Sequence, residues 1–375
     1  MPAPRRNRTC CWLVLLTLPA FAETKVLKNF TLIDGSGKAP VSNAAMIIEN
    51  GRIQWVGPSS QLKAPAGAEN IDAAGKYVMP GIINLHGHVG NVVDVTQSPK
   101  FFTRENVEKD LKTYASYGVT TVVSLGTDQD LILKIRDEQH AGRPTYTRVY
   151  TAGQGFTIKG SVGGMPGVTF MPESASEIPE DISALAAKKV DIVKMWVDDN
   201  RGKAKKMPFE MSKAIIDNAH QHGLRVTAHV YYLADAKRLM DAGLDAFAHS
   251  IRDQPVDDEL IAGMKKRGTW QLAATLTREA STYIYGKTPE FINDPFFTRS
   301  VSAKTIATLK DPAYQQKFTE DPDYKHYPEM LSMAQKNLKR LVDAGVKYGF
   351  GTDTGPPGRF LGFSSGKWNW RRRPG

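Results

Sequence analysis

Apolar and polar positions alternate along residues 25–79, in runs separated by turn residues. Lys25-Val26-Leu27, Ala45-Met46-Ile47-Ile48 and Arg52-Ile53-Gln54-Trp55-Val56 are examples, and a period near two is what a half-buried strand requires. Asn50-Gly51 lies between two such runs, and that dipeptide is the strongest short-range hairpin signal. Residues 23–79 therefore predict a small, β-sandwich-like antiparallel domain.

From Val78 onward short apolar runs alternate with helical stretches. Strands are predicted at 82–86, 119–125, 147–152, 191–196, 225–230, 246–250, 269–276 and 347–353. Amphipathic helices between them include 106–117, 130–140, 208–221, 232–242, 257–267 and 327–343. In the segment 232–242, Leu233, Ala236, Leu239 and Met240 share one face, with Asp235, Lys237 and Asp241 on the other. Gly118, Gly142, Gly223, Gly243, Gly268 and Gly345 each end such a helix just before the next strand. Eight strands joined by helical crossovers predict an α/β fold, a (β/α)8 TIM-type barrel spanning residues 80–363. The connection 277–326, rich in Pro, Asp, Tyr and Phe, is expected to hang over the catalytic face as a lid.

Composition narrows the class. Of 375 residues 41% are hydrophobic and 23% charged, which fits a globular protein and excludes a disordered chain. No apolar run reaches the length of a membrane span, and the only cysteines, Cys10 and Cys11, cannot build a disulfide framework. Arg5, Arg6 and Arg8, the apolar stretch Cys11 to Leu18 and Ala20-Phe21-Ala22 read as a signal peptide over residues 1–22. An exported protein, periplasmic or secreted and without a membrane anchor after cleavage, is expected. Its net charge falls from +10 to +7, of which four charges are Lys367, Arg371, Arg372 and Arg373. No basic stripe interleaved with aromatics remains to recognise a nucleic acid. A small-molecule substrate is the expected partner, with a homo-oligomer left open.

The candidate chemistry sits at strand ends. His86 and His88, in Leu85-His86-Gly87-His88, are two apart, so both imidazoles can face one site and chelate a borderline metal such as zinc. Alone, that spacing also fits two unrelated loop histidines. His229, His249 and Asp353 each end a further predicted strand, and Lys194 lies within the strand 191–196. That is the layer in which barrel enzymes assemble their sites. Lys194 also admits a bland reading, a strand-end lysine extending its amine to water. Tyr231 shares a face with His229 and is a candidate substrate contact. His140, His220 and His222 lie near helix C-termini and are read as structural, and His326 as a solvated loop residue. Gly160-Ser161-Val162-Gly163-Gly164 could approach a ligand through its backbone, but it matches no phosphate-binding pattern.

Pro80-Gly81 leading to His86-Gly87-His88, then Lys194, His229, His249 and Gly351-Thr352-Asp353, resembles the metal-dependent amidohydrolase superfamily, in particular its imidazolonepropionase-like and prolidase-like branch. The resemblance covers roughly residues 25–363. It implies that His86, His88 and Asp353 hold one metal, that His229 and His249 hold another, and that a carboxylated Lys194 bridges the two. It further implies two zinc ions, or one if Lys194 is unmodified. It implies hydrolysis of an amide-type C–N bond in a dipeptide, an N-acyl amino acid or a cyclic amide by a metal-bound hydroxide, with Asp353 shuttling the proton.

One segment departs from that pattern. Residues 364–375, Ser364 to Gly375, lack the apolar period of an eighth helix and have the Trp, Arg, Pro and Gly content of a GC-rich gene read out of frame. The expectation is a frameshift near Phe363 that removes the eighth helix and the partner strands of the β domain. A truncated, inactive, poorly soluble barrel that still binds metal is therefore a further reading.

Overall fold

The computed structural model describes residues 23–142, 144–272 and 283–361, in two compact units divided after Pro80. Residues 1–22, the end of the seventh predicted strand (273–276), the start of the long connection (277–282), the expected frameshift near Phe363 and the tail 364–375 lie outside the described residues.

In the first unit β1 (Thr24–Leu32) is central. It pairs antiparallel with β2 (Val41–Glu49), which pairs with β3 (Arg52–Pro58). Asn50 and Gly51 join these last two with φ of 50° and 76°. A right-handed strand twist needs positive φ at both turn positions, and Asn and Gly are the residues that accept it. The sheet is not purely antiparallel, however. The chain crosses to the other edge, so β4 (Glu69–Asp72) and β5 (Tyr77–Val78) run parallel to β1. The result is one mixed five-stranded sheet rather than a sandwich, with Phe30, Ala44 and Met46 buried on it.

The second unit carries strands at each of the eight positions. The first is β6 (Ile82–Gly87), followed by a short hairpin of β7 (Val92–Val93) and β8 (Thr96–Gln97). Then come β9 (Val119–Ser124), β10 (Arg148–Thr151), β11 (Val193–Trp196), β12 (Val226–His229), β13 (Ala246–Phe247), β14 (Trp270–Leu272) and β15 (Tyr348–Gly349). Among the described residues β10-β9-β6 form one parallel sheet and β11 to β15 another. Main-chain bonds cross between the two sheets: Leu85 N–H to Phe350 C=O at 2.8 Å on one side, Asp191 N–H to Thr151 C=O at 2.9 Å on the other.

The period of two decides what each strand offers to each side. On β11, Val193 and Met195 pack among the helices, which leaves Lys194 and Trp196 for the interior. On β12, Val226 and Ala228 do the same and leave Thr227 and His229. Burial on both faces is the mark of a covered parallel sheet. The cover comes from α1 (Arg104–Ser116), α2 (Leu131–Ala141), α3 (Ile178–Ala187), α4 (Phe209–Gln221), α5 (Leu233–Asp241), α6 (Asp258–Arg267) and the helix Tyr327–Asp343. Of these α3 is missing from the sequence reading, although Ile178, Ile182 and Leu185 are buried at helical spacing. On the outer faces of β6 and β15, Ile83 and Tyr348 are 54% and 57% exposed.

In its described part the long connection, expected as a lid, is helical rather than an irregular loop. Residues 283–326 form short helices, including Pro295–Thr298, Ala303–Lys310 and Pro312–Thr319. They pack on the flank of α1 at one end and reach the loop after β11 at the other, where Lys203 pairs with Asp321 and Asp323, and Arg201 with Asp323. Tyr117, at the C-terminal end of α1, donates its hydroxyl to Phe296 C=O at 2.6 Å beneath the Arg299 guanidinium. Ser302 and Thr305 bond Asp94. Tyr285, Phe297, Ile292 and Leu309 form an aromatic-rich cluster of their own with Tyr117. A segment this rich in aromatics buries them together.

α1 is tied to the first strand's loop by Asp110, whose carboxylate accepts Gly90 N–H at 2.8 Å. Burial pushes Asp110 up to about 7 from the ordinary 3.8. A raised folded pKa means the native state holds the extra proton between these values, so stability falls as pH rises from about 4 to about 7. Asp110→Asn removes that slope, worth on the order of 4 kcal/mol across the window. Urea unfolding at pH 4.5 and pH 8 should show the two midpoints of the variant drawing together; an unchanged gap refutes the assignment.

Candidate metal centre

Four histidines, one lysine and one aspartate converge where the strands of the second unit end. His86 is on β6 and His88 just beyond it; His229 closes β12; His249 follows β13 by two residues. The β11–β12 register pairs Trp196 with His229 and Lys194 with Thr227, so Lys194 enters one level below His229. Asp353 lies beyond β15 with φ of 51°, a left-handed conformation that Asp tolerates better than most side chains.

Asp353 is the hub. Its Oδ1 is 3.3 Å from His86 Nε2 and 3.1 Å from His88 Nε2, and its Oδ2 is 4.0 Å from His249 Nε2. One ligating atom from each of His86, His88 and Asp353 falls within 4.8 Å of the others. Ring centres of His86 and His249 are 4.9 Å apart, and those of His229 and His249 4.1 Å. All six residues are buried, Lys194 completely. Lys194 Nζ has no hydrogen-bond partner among the described residues and sits 5.3 Å from the centre of the Trp196 ring.

The protonation states follow from burial and charge. Burial, then the Lys194 charge, lowers His86 to about 4. Burial likewise lowers His88, and burial with the neighbouring His229 holds His249 well below its usual value. Burial alone would raise Asp353, but Arg359, which pairs with its Oδ2, and His86 outweigh that and hold it well below the carboxylate range. Burial brings Lys194 down to about 7. Neutral imidazoles, an ionised carboxylate and a lysine that readily gives up its proton are a donor set for a divalent cation. The stranded Lys194 nitrogen, buried without an acceptor, fits the same use.

Three of the candidate histidines are held from behind. His86 Nδ1 faces Ala248 C=O at 3.2 Å, His88 Nδ1 faces Thr127 Oγ1 at 3.1 Å, and His229 Nε2 faces Asp198 Oδ2 at 2.8 Å. Asn84 stitches first strand to last, its Oδ1 accepting His86 N–H and Thr352 N–H while its Nδ2 donates to Thr352 Oγ1 at 2.8 Å. Asp353 N–H donates to His86 C=O at 2.7 Å. Gly355 must be glycine: with φ of 115°, a Cβ there would lie 2.2 Å from His88 C=O. Asn84, Thr127, Asp198 and Arg359 are absent from the sequence reading, because no motif marks them. For Asn84 the available signal was its even spacing to His86 on one strand.

The cavity above these residues measures about 180 Å3 and is lined by His86, His88, His229, His249, Asp353 and Trp196, with Gly163, Gly164 and Arg359 at its wall. Gly163 lies flat on the indole, where a Cβ would come 2.2 Å from Trp196 Cδ1. None of the described residues 283–326 lines it. Tyr231 does not line it either, but is buried beneath Arg252. His220 pairs with Asp245 at 2.9 Å, His222 approaches Ser183 and His140 packs near Tyr150. His326 lies on the surface beside Glu329.

The profile of the amidohydrolase family matches residues 77–368. An uncharacterized protein of Mycobacterium tuberculosis (strain ATCC 25618 / H37Rv) is 27% identical over 215 residues, 54% of this chain and 52% of its own length. The chain thus spans about half of that relative. An imidazolonepropionase of Streptomyces avermitilis is 24% identical over 337 residues, 87% of this chain and 70% of its own. Among solved structures, a putative prolidase from Bifidobacterium longum superposes with a TM-score of 0.66 at 21% identity, covering 90% of this chain and 76% of that one. That likeness shows a TIM-barrel-like α/β fold.

Asn84→Ala strips the acceptor from His86 N–H inside a buried seam. The expected cost is about 2 kcal/mol in urea unfolding. Unchanged stability would show that the seam does not depend on this side chain.

Proposed function

The chain belongs to the amidohydrolase family, and on that premise we propose that it is a metal-dependent hydrolase of amide-type C–N bonds in small substrates. The observation that carries the reading is the convergence of His86, His88 and His249 on Asp353, beside a wholly buried Lys194 whose amine has no acceptor. His86, His88 and Asp353 would hold one cation and His229 and His249 a second. Lys194 would join them as a carbamate, formed when its neutral amine adds CO2 and releases one proton. Zinc is the proposed metal, since nitrogen and carboxylate donors suit it. When bound, such cations polarise a carbonyl and make water acidic enough to attack near neutral pH.

The chain's own residues do the rest. Asp353, ionised and facing the cavity, takes the proton of the attacking water and returns it to the leaving nitrogen. Trp196 and the Gly163 backbone form one wall of the cavity, against which a substrate group would pack. The relatives named imidazolonepropionase and putative prolidase support a cyclic amide or a dipeptide, with N-acyl amino acids as the third class to assay. Bonds across both seams of the two parallel sheets support closure into an eight-stranded barrel. The basic start and Ala20-Phe21-Ala22 support export of the mature protein.

A one-metal enzyme with unmodified Lys194 is the second reading. It is favoured by a single observation: among the described residues only His86, His88 and Asp353 form a group of three ligating atoms within reach of one another.

Metal content by mass spectrometry separates the two, with about two equivalents expected for the bridged site and about one for the alternative. Loading with zinc in bicarbonate should raise the content of the wild type, whereas Lys194→Ala should lose one equivalent and gain nothing from bicarbonate. A Lys194→Ala protein with full occupancy would eliminate the bridge. A panel of dipeptides, N-acyl amino acids and cyclic amides on the zinc-loaded protein tests the reaction, and no turnover on any class would end the hydrolase reading.

A further inference from the structure

Two residues that no motif marks stand behind His229. Asp198 follows β11 by two residues and is 3% exposed. Its Oδ2 lies 2.8 Å from His229 Nε2, and its Oδ1 accepts Asn200 N–H at 2.8 Å, so both oxygens are committed. Arg252, 3% exposed, sets a guanidinium nitrogen 3.7 Å from the same Oδ2. It is itself pinned, with Nη1 donating to Val230 C=O at 2.9 Å and Ser250 C=O at 3.0 Å. Its plane covers Tyr231 at 4.6 Å.

We propose that Asp198, backed by Arg252, is the positioning residue that fixes the tautomer and ring plane of His229, leaving Nδ1 as the nitrogen given to a cation. The physical argument is short. A carboxylate accepts and does not donate, so the nitrogen facing Asp198 carries the proton. In a neutral imidazole the other nitrogen then holds the free lone pair. His86 is turned the opposite way: Ala248 C=O, which only accepts, faces its Nδ1. Its Nε2, like that of His88, faces Asp353, which is itself a candidate ligand of the same cation, as Asp198 is not. These three histidines thus show two opposite ring orientations, and that of His229 is backed by a buried charge pair. Partners of this kind orient a ligand, and losing one typically weakens metal binding about 10–100-fold.

Arg252 gives the arrangement its rigidity. A carboxylate buried beside an imidazole alone could rotate toward water or another donor. Fixed between Asn200 N–H, His229 and a guanidinium bolted to the main chain of Val230 and Ser250, it has one stable position. Because the strand-end loops after β12 and β13 both grip Arg252, the ring orientation of His229 is coupled to the seating of the loop that carries His249.

This inference rests on the metal-site reading, and the test keeps the two apart. In the full-length, metal-free protein labelled with 15N-histidine, long-range 1H–15N spectra at pH 8.5 report each tautomer, and His229→Gln identifies the signal. The wild type is expected as Nε2–H. Asp198→Asn, which can present its NH2 to the same nitrogen, is expected to shift His229 toward Nδ1–H and to weaken zinc binding about 10–100-fold in a chelator competition. Asp198→Glu should recover part of that loss, as a purely structural role would not require. Arg252→Lys, which keeps the charge but not the double grip on Val230 and Ser250, should give a smaller loss and a broadened His229 signal. It serves as the second variant if Asp198→Asn misfolds by circular dichroism. An Nδ1–H wild type, or variants with unaltered zinc affinity, overturns the proposal. A wild type that takes up no zinc overturns the metal site instead, and the tautomer alone then decides the role of Asp198.

Discussion

Everything at this centre depends on one seam, where the first and last strands of the second unit are held edge to edge. His86 C=O accepts from both Thr352 N–H and Asp353 N–H, and Asn84 bonds across the same gap. That grip sets the distance between the His86 and His88 rings and the Asp353 carboxylate. The polar groups involved are buried, so each must find its partner there or lose it. The geometry of the candidate ligands is thus a consequence of main-chain pairing more than of side-chain preference.

The electrostatics follow from that burial. A carboxylate, several neutral imidazoles and an amine with a lowered pKa are packed where water cannot screen them. The Arg359 charge pairs with Asp353 from the cavity wall. Desolvation works against charge on His86, His88, His249 and Lys194 alike, while the Arg359 charge and the hydrogen bonds from His86 and His88 keep Asp353 ionised. Structural and catalytic ion pairs both perturb pKa values, but so many shifted groups on strand ends around one cavity point to chemistry.

Much of this was legible in the chain. His86 and His88 announced a shared face by spacing, and Lys194, His229, His249 and Asp353 stood out by falling within or at the ends of predicted strands. The Asn50-Gly51 hairpin could be placed to the residue because its backbone demands those side chains. What stayed hidden lies in segments without a period. Asp198 and Arg252 meet from different loops, and Arg359 reaches Asp353 across a turn. No linear pattern encodes such encounters. The crossover that makes β4 parallel to β1 was misread, because alternation marks a strand but not the direction of its partner. The packing of Phe296 on Tyr117 joins segments far apart in the chain, which no local pattern encodes.

The left-handed backbone of Asp353 narrows what evolution can place there. Glutamate, the nearest residue in chemistry, brings a longer arm and a poorer fit to that conformation. Asparagine, the nearest in shape, accepts the twist but surrenders the charge. The position therefore has no conservative neighbour: every single step away gives up either the anion or the bend that aims it.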